Sequence, residues 1–290
     1  MSELFGPSPE PSSLSCLWAQ HDGRRLELIG RPEGHTRFLL VHAFGAHAGY
    51  YRWALERLPA DIAACAVSLA GHGRSDPPPP DTPLSWWLDD IEAALAALGW
   101  DEAVLVGNSA GGGLVTYFAA RRPERVRGVV LTAASPGGCA PSATDTNRNA
   151  VTQLYKATRP PLRRKLVDRL LARQLAWMPA TRRAELAALT MGTHDHALES
   201  VSRVAWEANL DPILDSLAQT CPMLVIRGAH DPFADPGREP LAERAGVLSV
   251  LFEAAGHFPM VDDPGRFADA LARFAEAIGT SRTRAVHAPR

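Results

Sequence analysis

Residues 103–113 read Ala103-Val104-Leu105-Val106-Gly107-Asn108-Ser109-Ala110-Gly111-Gly112-Gly113. Ala103–Val106 is a continuous apolar run of the kind that a strand buried on both faces presents. Ala110–Arg122 reads as a helix that closes on two arginines and then Pro123, which puts positive charge at its negative end and a stop behind it. Between them Gly107 to Gly111 fits G-x-S-x-G. A serine on a sharp strand-to-helix turn has strained dihedrals, and its neighbours must be small for the two elements to approach. Gly107, Ala110, Gly111, Gly112 and Gly113 supply that smallness. The turn lifts the Ser109 hydroxyl clear of the sheet and sets it at a helix N-terminus, where developing negative charge is favoured.

The surrounding chain extends the pattern. Apolar runs recur at Phe38–Val41, Ala63–Leu69, Val126–Leu131, Met223–Ile226 and Val247–Phe252. In Trp86–Leu98, Trp87, Ile91, Leu95 and Leu98 fall on one helical face, with Ser85 at the N-cap position and Asp89 and Asp90 in the first turns. Strand–helix–strand alternation predicts an α/β fold, a mostly parallel sheet flanked by helices. Ser135 to Thr220 breaks the alternation with four helical stretches, near Asn147–Ala157, Pro161–Trp177, Thr181–Met191 and Leu198–Asn209. Such a length is too great for a plain loop and predicts an inserted helical cap. The expected division is a disordered tail at 1–13, a core at 14–135 and 221–279, the cap at 136–220, and a second tail at 280–290.

Composition bounds the function. The 290 residues carry 30 Lys and Arg against 32 Asp and Glu, a formal charge of −2, which lacks the basic excess of a dedicated nucleic-acid binder. No apolar run approaches the roughly 20 residues of a membrane span, and the polar, proline-bearing start is unlike a signal peptide. Cys16, Cys65, Cys139 and Cys221 are scattered without a CxxC pair, so a reducing, cytoplasmic setting is expected.

The Gly107–Gly111 motif in its strand–helix context resembles the α/β-hydrolase superfamily, over about Arg24 to Gly279. That family runs nucleophile, acid, histidine along the chain. The resemblance implies Ser109 as nucleophile, Asp231 in Arg227-Gly228-Ala229-His230-Asp231-Pro232 as acid, and His257 in Ala255-Gly256-His257-Phe258-Pro259 as base. A serine is inert at its free pKa, imidazole accepts its proton near neutral pH, and a carboxylate fixes the imidazole tautomer. Asp235, four residues on, is the alternative acid, while Asp262 and Asp263 are expected to cap the last helix, Gly265–Ile278. An oxyanion needs two backbone N–H donors. One is Ala110; the other, by resemblance, is Phe44 in His42-Ala43-Phe44-Gly45, where the family usually has His-Gly-x-Gly. Ala43 disfavours the positive φ that glycine allows. Gly71-His72-Gly73-Arg74-Ser75 matches a structural Gly-His-Gly-x-Ser loop whose usual leading Asp is here Ser68, so His72 is expected to pack and hydrogen-bond. His194-Asp195-His196 lacks further ligands in view, and no metal site is read.

His42-Ala43 with Tyr50-Tyr51-Arg52-Trp53-Ala54 and Arg57-Leu58-Pro59 is also similar to type II thioesterases, which hydrolyse acyl thioesters from carrier proteins. That family usually has His where this chain has Asn108, a residue similar to that in some C–C bond hydrolases and small esterases. The expected activity is a serine hydrolase cleaving an ester, lactone or thioester of a small acyl substrate, with no cofactor. A non-hydrolytic binding or cyclising member of the fold is the reading from another class. An acyl carrier protein is the macromolecular partner that the second resemblance implies. Arg159, Arg163, Arg164, Lys165, Arg169 and Arg173 would meet its anionic surface, or simply form a solvated helix face. Nucleic acid and membrane are not expected partners.

Overall fold

The computed structural model describes residues 13–43, 45–79, 82–134, 165, 169, 180–193, 197, 210–231 and 246–286. Within them the apolar runs become strands because their alternate residues serve opposite faces of one sheet. In β3 (Thr36–Val41), Phe38 and Leu40 enter one apolar cluster, and Leu39 and Val41 enter the other. The same split divides Val104 and Val106 from Leu105 in β5 (Ala103–Asn108). A strand so divided needs helices on both sides, and the chain supplies them. On one face lie α1 (Arg52–Leu55), α6 (Pro259–Asp262) and α7 (Pro264–Val286); on the other lie α2 (Leu84–Ala97), α3 (Ala110–Arg121) and α5 (Asp211–Thr220).

With β1 (Ser15–His21), β2 (Arg24–Arg31), β4 (Ile62–Val67), β6 (Val126–Thr132), β7 (Met223–Gly228) and β8 (Val247–Phe252), the sheet has eight strands in the order β1-β2-β4-β3-β5-β6-β7-β8. From β4 to β8 every pairing is parallel. All the carboxyl ends of that parallel block therefore open on one edge, which is where ligands bind in open α/β sheets. The turns after β3, β5, β7 and β8 carry positions 42–45, Ser109, Asp231 and His257.

Two strands were not expected from the sequence. β1 and β2 form an antiparallel hairpin closed by Asp22-Gly23, both at positive φ (48° and 73°), and β2 pairs antiparallel with β4. Paired φ > 0 residues match the right-handed twist of a two-residue hairpin. The α2 start also differs from expectation. Pro83, not Ser85, is the N-cap, and no side chain bonds there. Asp90 is not a first-turn dipole partner either: it is fully buried, accepting from the Ala70 N–H at 2.9 Å and pairing with His21 Nδ1 at 2.5 Å. Of the expected cap helices, Thr181–Met191 corresponds to α4 (Ala180–Met191). The other three lie outside the described residues, apart from Lys165 and Arg169, which are helical and exposed. At the other end α7 runs to Val286, past Gly279.

The His21–Asp90 pair ties the hairpin to α2 and has a titration signature. The hydrogen bond to Asp90 raises the His21 pKa, with Asp89 and Asp22 adding to the effect; its ring rests on Trp86, which Arg24 also faces. Burial raises the Asp90 carboxyl. A raised histidine stabilises the fold fully below its unfolded value of about 6.5 and loses that contribution as pH rises through the folded value. The raised carboxyl also lowers stability as pH rises, but from its own unfolded value of about 3.9. Unfolding free energy of the native chain should therefore decline above pH 6.5 more steeply than that of Asp90→Asn, which keeps an acceptor for Ala70 and removes the charge. Parallel urea titrations check this; identical slopes would refute it.

Candidate active site

The site is built where α3 meets the ends of β3 and β5, and contact there leaves no room for side chains. A Cβ on Gly107 would lie 2.4 Å from the Gly111 carbonyl oxygen, and one on Gly111 would lie 2.4 Å from Val41 O and 2.5 Å from His42 O. Only glycine permits this approach. Ser109, between them, takes φ 53° and ψ −116°, one of the few positive-φ non-glycine residues among those described. Its N–H donates to Thr132 O at 2.9 Å, which pins the strained turn to β6. Ala110 opens α3, so its N–H belongs to the first turn, whose donors have no intrahelical partner.

Asp231 and His257, 26 residues apart, come together. Both Asp231 oxygens lie 3.0 Å from His257 Nδ1, and the two side chains are 7% and 8% exposed. A carboxylate only accepts, so Nδ1 carries the proton and Nε2 presents a lone pair. The loops holding them are interlocked, since Ala229 N donates to Phe252 O and His230 N to Ala255 O. Asp262 Oδ2 accepts from Gly256 N at 2.7 Å, so it braces the histidine loop instead of capping α7; Asp263 does cap it, accepting from Arg266 N at 3.1 Å. Asn108 donates to Thr132 O at 3.0 Å and to His257 O at 3.2 Å, which brings the histidine loop beside the Ser109 turn. The sequence reading missed both roles of Asp262 and Asn108. Phe44 and Asp235 lie outside the described residues, as does His194-Asp195-His196.

The turn after β3 resolves the Ala43 question. Among the described residues Ala43 is not at positive φ; Gly45 takes that conformation, at 69°. His42 Nε2 accepts from Leu69 N, and Nδ1–H donates to Ala43 O. His72 packs as expected, with Nδ1–H on Ala70 O and its ring 4.7 Å from that of His42. The missing leading Asp of its loop is compensated from β2. Buried Glu27 accepts from Ser68 Oγ at 2.9 Å, from Arg74 N and from Arg74 Nη1, both at 3.2 Å. Ser68 Oγ in turn accepts from Ala48 N, beyond the β3 turn.

The matched family model is the α/β-hydrolase fold, over residues 36–264. The chain belongs to that family and is a hydrolase. It is 28% identical over 250 residues to the pimeloyl-[acyl-carrier protein] methyl ester esterase of Edwardsiella ictaluri, covering 84% of this chain and 94% of that one. It is 26% identical to an uncharacterised protein of Mycobacterium tuberculosis, over 81% of this chain and 74% of the relative. A solved hydrolase from Pseudomonas aeruginosa superposes with a TM-score of 0.73 at 25% identity, covering 91% of this chain and 99% of that one. No helix among the described residues is long and apolar enough to cross a membrane.

Three buried histidines flank this site without titrating near neutrality. Burial lowers His42 well below the ordinary value, His47 to about 3 and His72 to about 4. A depressed histidine contributes stability above its unfolded value of about 6.5 and loses it as pH falls toward the folded one. Unfolding free energy should therefore drop between pH 6.5 and 4, with each histidine adding up to about 1.4 kcal/mol per pH unit. His72→Gln should show a slope shallower by up to that amount. A slope equal to that of the native chain would place His72 outside the neutral buried set.

Proposed function

We propose that this chain is a serine hydrolase that cleaves an ester, lactone or thioester of a small, mainly apolar acyl substrate through Ser109, His257 and Asp231. The carrying observation is the contact of both Asp231 oxygens with His257 Nδ1, which leaves Nε2 as the acceptor. Ser109 Oγ attacks the carbonyl carbon as its proton passes to Nε2. The tetrahedral oxyanion is held by the N–H groups of Ala110 and Phe44, at a helix N-terminus and the β3 turn. Collapse expels the leaving group, which takes the proton from the imidazolium, and water releases the acyl-enzyme by the same steps in reverse. In this reading the stretch 136–220 is the inserted cap. This mechanism uses no cofactor.

Ser109→Ala should abolish turnover of p-nitrophenyl esters with little change in thermal midpoint, and a sulfonyl fluoride should label Ser109. Asp231→Asn should lower kcat far more than Asp235→Asn, toward the roughly 10⁴-fold loss seen for such a change in a serine protease. Activity of more than a few per cent in Ser109→Ala removes it as nucleophile, and equal effects at 231 and 235 misplace the acid.

A second reading is favoured by the relatives named for an acyl-carrier methyl ester, namely that the acyl group arrives on an anionic carrier protein. Lys165 and Arg169, one turn apart and exposed on a helix, belong to the basic run that would steer it. Lys165→Glu/Arg169→Glu should cut kcat/KM for an acyl-carrier substrate by about tenfold, in a salt-dependent way, and leave a small neutral ester unaffected. If both substrates respond alike, the chain acts on small esters.

A further inference from the structure

Asn108 sits at the junction of three parts of the molecule. Its backbone is the last residue of β5, directly before the nucleophile turn. Its side chain is 1% exposed. An amide nitrogen has two hydrogens, and both are used: one on Thr132 O at the end of β6, 24 residues away, and one on His257 O, 149 residues away. Thr132 O also takes the Ser109 N–H, so a single carbonyl holds both the serine backbone and the amide that reaches the histidine. From the other side, Asp262 holds the N–H of Gly256. His257 is thus fixed through its backbone as well as through its ring.

We infer that Asn108 is a positioning residue for catalysis: by joining the serine turn to the carbonyl of His257, it sets the separation between Ser109 and the imidazole. The inference rests on the serine-hydrolase reading above. Asn108 reaches no reacting atom in this role and acts only through His257. Loss of the amide removes the bond that ties the histidine loop to the serine turn. A displacement near 1 Å between reacting groups can cost about 100-fold in rate. The consequence is specific. Substrate binding should persist while the proton transfer fails, and the loss should be the same for every acyl chain.

Two variants separate this from a purely structural role. Asn108→Ala removes the amide, and Asn108→Asp keeps its size and shape but offers oxygen to two carbonyls. Each is compared with the native chain on p-nitrophenyl acetate and p-nitrophenyl butyrate, and in its rate of Ser109 labelling by a fluorophosphonate, with thermal midpoints measured alongside. The expected result is a kcat lower by about 10- to 100-fold on both esters, KM within about threefold, and a labelling rate reduced by a similar factor. An active native enzyme whose folded variants keep kcat, or change only in KM or thermal midpoint, overturns the inference and leaves the hydrolase reading standing. If Asn108→Ala does not fold, Asn108→Asp alone decides by the same criteria. A native chain that neither turns over esters nor is labelled at Ser109 overturns both.

Discussion

No side chain fits between the first turn of α3 and the end of β3, and most of the site follows from that contact. Gly111 lies against the carbonyls of Val41 and His42, and Gly107 against the backbone of α3, so the start of the helix meets the strand ends backbone to backbone. Ser109 must then turn the chain within one residue, at φ 53°, a conformation that costs of order 1–3 kcal/mol and persists only where surroundings enforce it. The enforcement is visible: Ser109 N bonds to Thr132 O, and Gly112 N bonds back to Ser109 O. The same contact presses the β3 turn against the helix N-terminus. One steric constraint therefore places the serine, one N–H donor of the helix and the segment expected to supply the other.

The polar groups buried around this contact are satisfied in two ways. Buried Glu27 accepts two hydrogens from Arg74 and one from Ser68, so its acceptor oxygens do not go unpaired in the interior. The histidines take the other course. His42, His47 and His72 shed their protons and serve as neutral donors and acceptors for backbone groups of the loops they hold. His257 differs from all three in having a carboxylate at its Nδ1.

The sequence made the local features legible. Strands β3 to β8 are runs of apolar residues, and the serine turn carries its own glycines, so neither depends on distant partners. Ser109, Asp231 and His257 could be placed because each lies in a turn directly after such a run. What escaped was encoded at a distance. β1 is mostly exposed, with an alternation too weak to signal a strand; its one strong sign, Asp22-Gly23, was there to be read. Glu27 on β2 holds the 68–75 segment, and no local pattern links it to Ser68, 41 residues on.

Asp90 and Asp262 make the same point from chemistry. Each looked like a helix-end carboxylate, because Asp near a helix start usually answers the unpaired N–H groups there. Both instead answer an N–H of a different loop, Ala70 for Asp90 and Gly256 for Asp262. The physical demand is identical, an orphan backbone donor needing an acceptor, and here it is met at buried Ala70 and half-buried Gly256. A helix-end N–H at the surface has water as an alternative. The N–H of Gly256, beside the buried His257, has less access to it. Asp262 is thus drawn to the loop that carries His257, a pairing that appears only once the chain has folded.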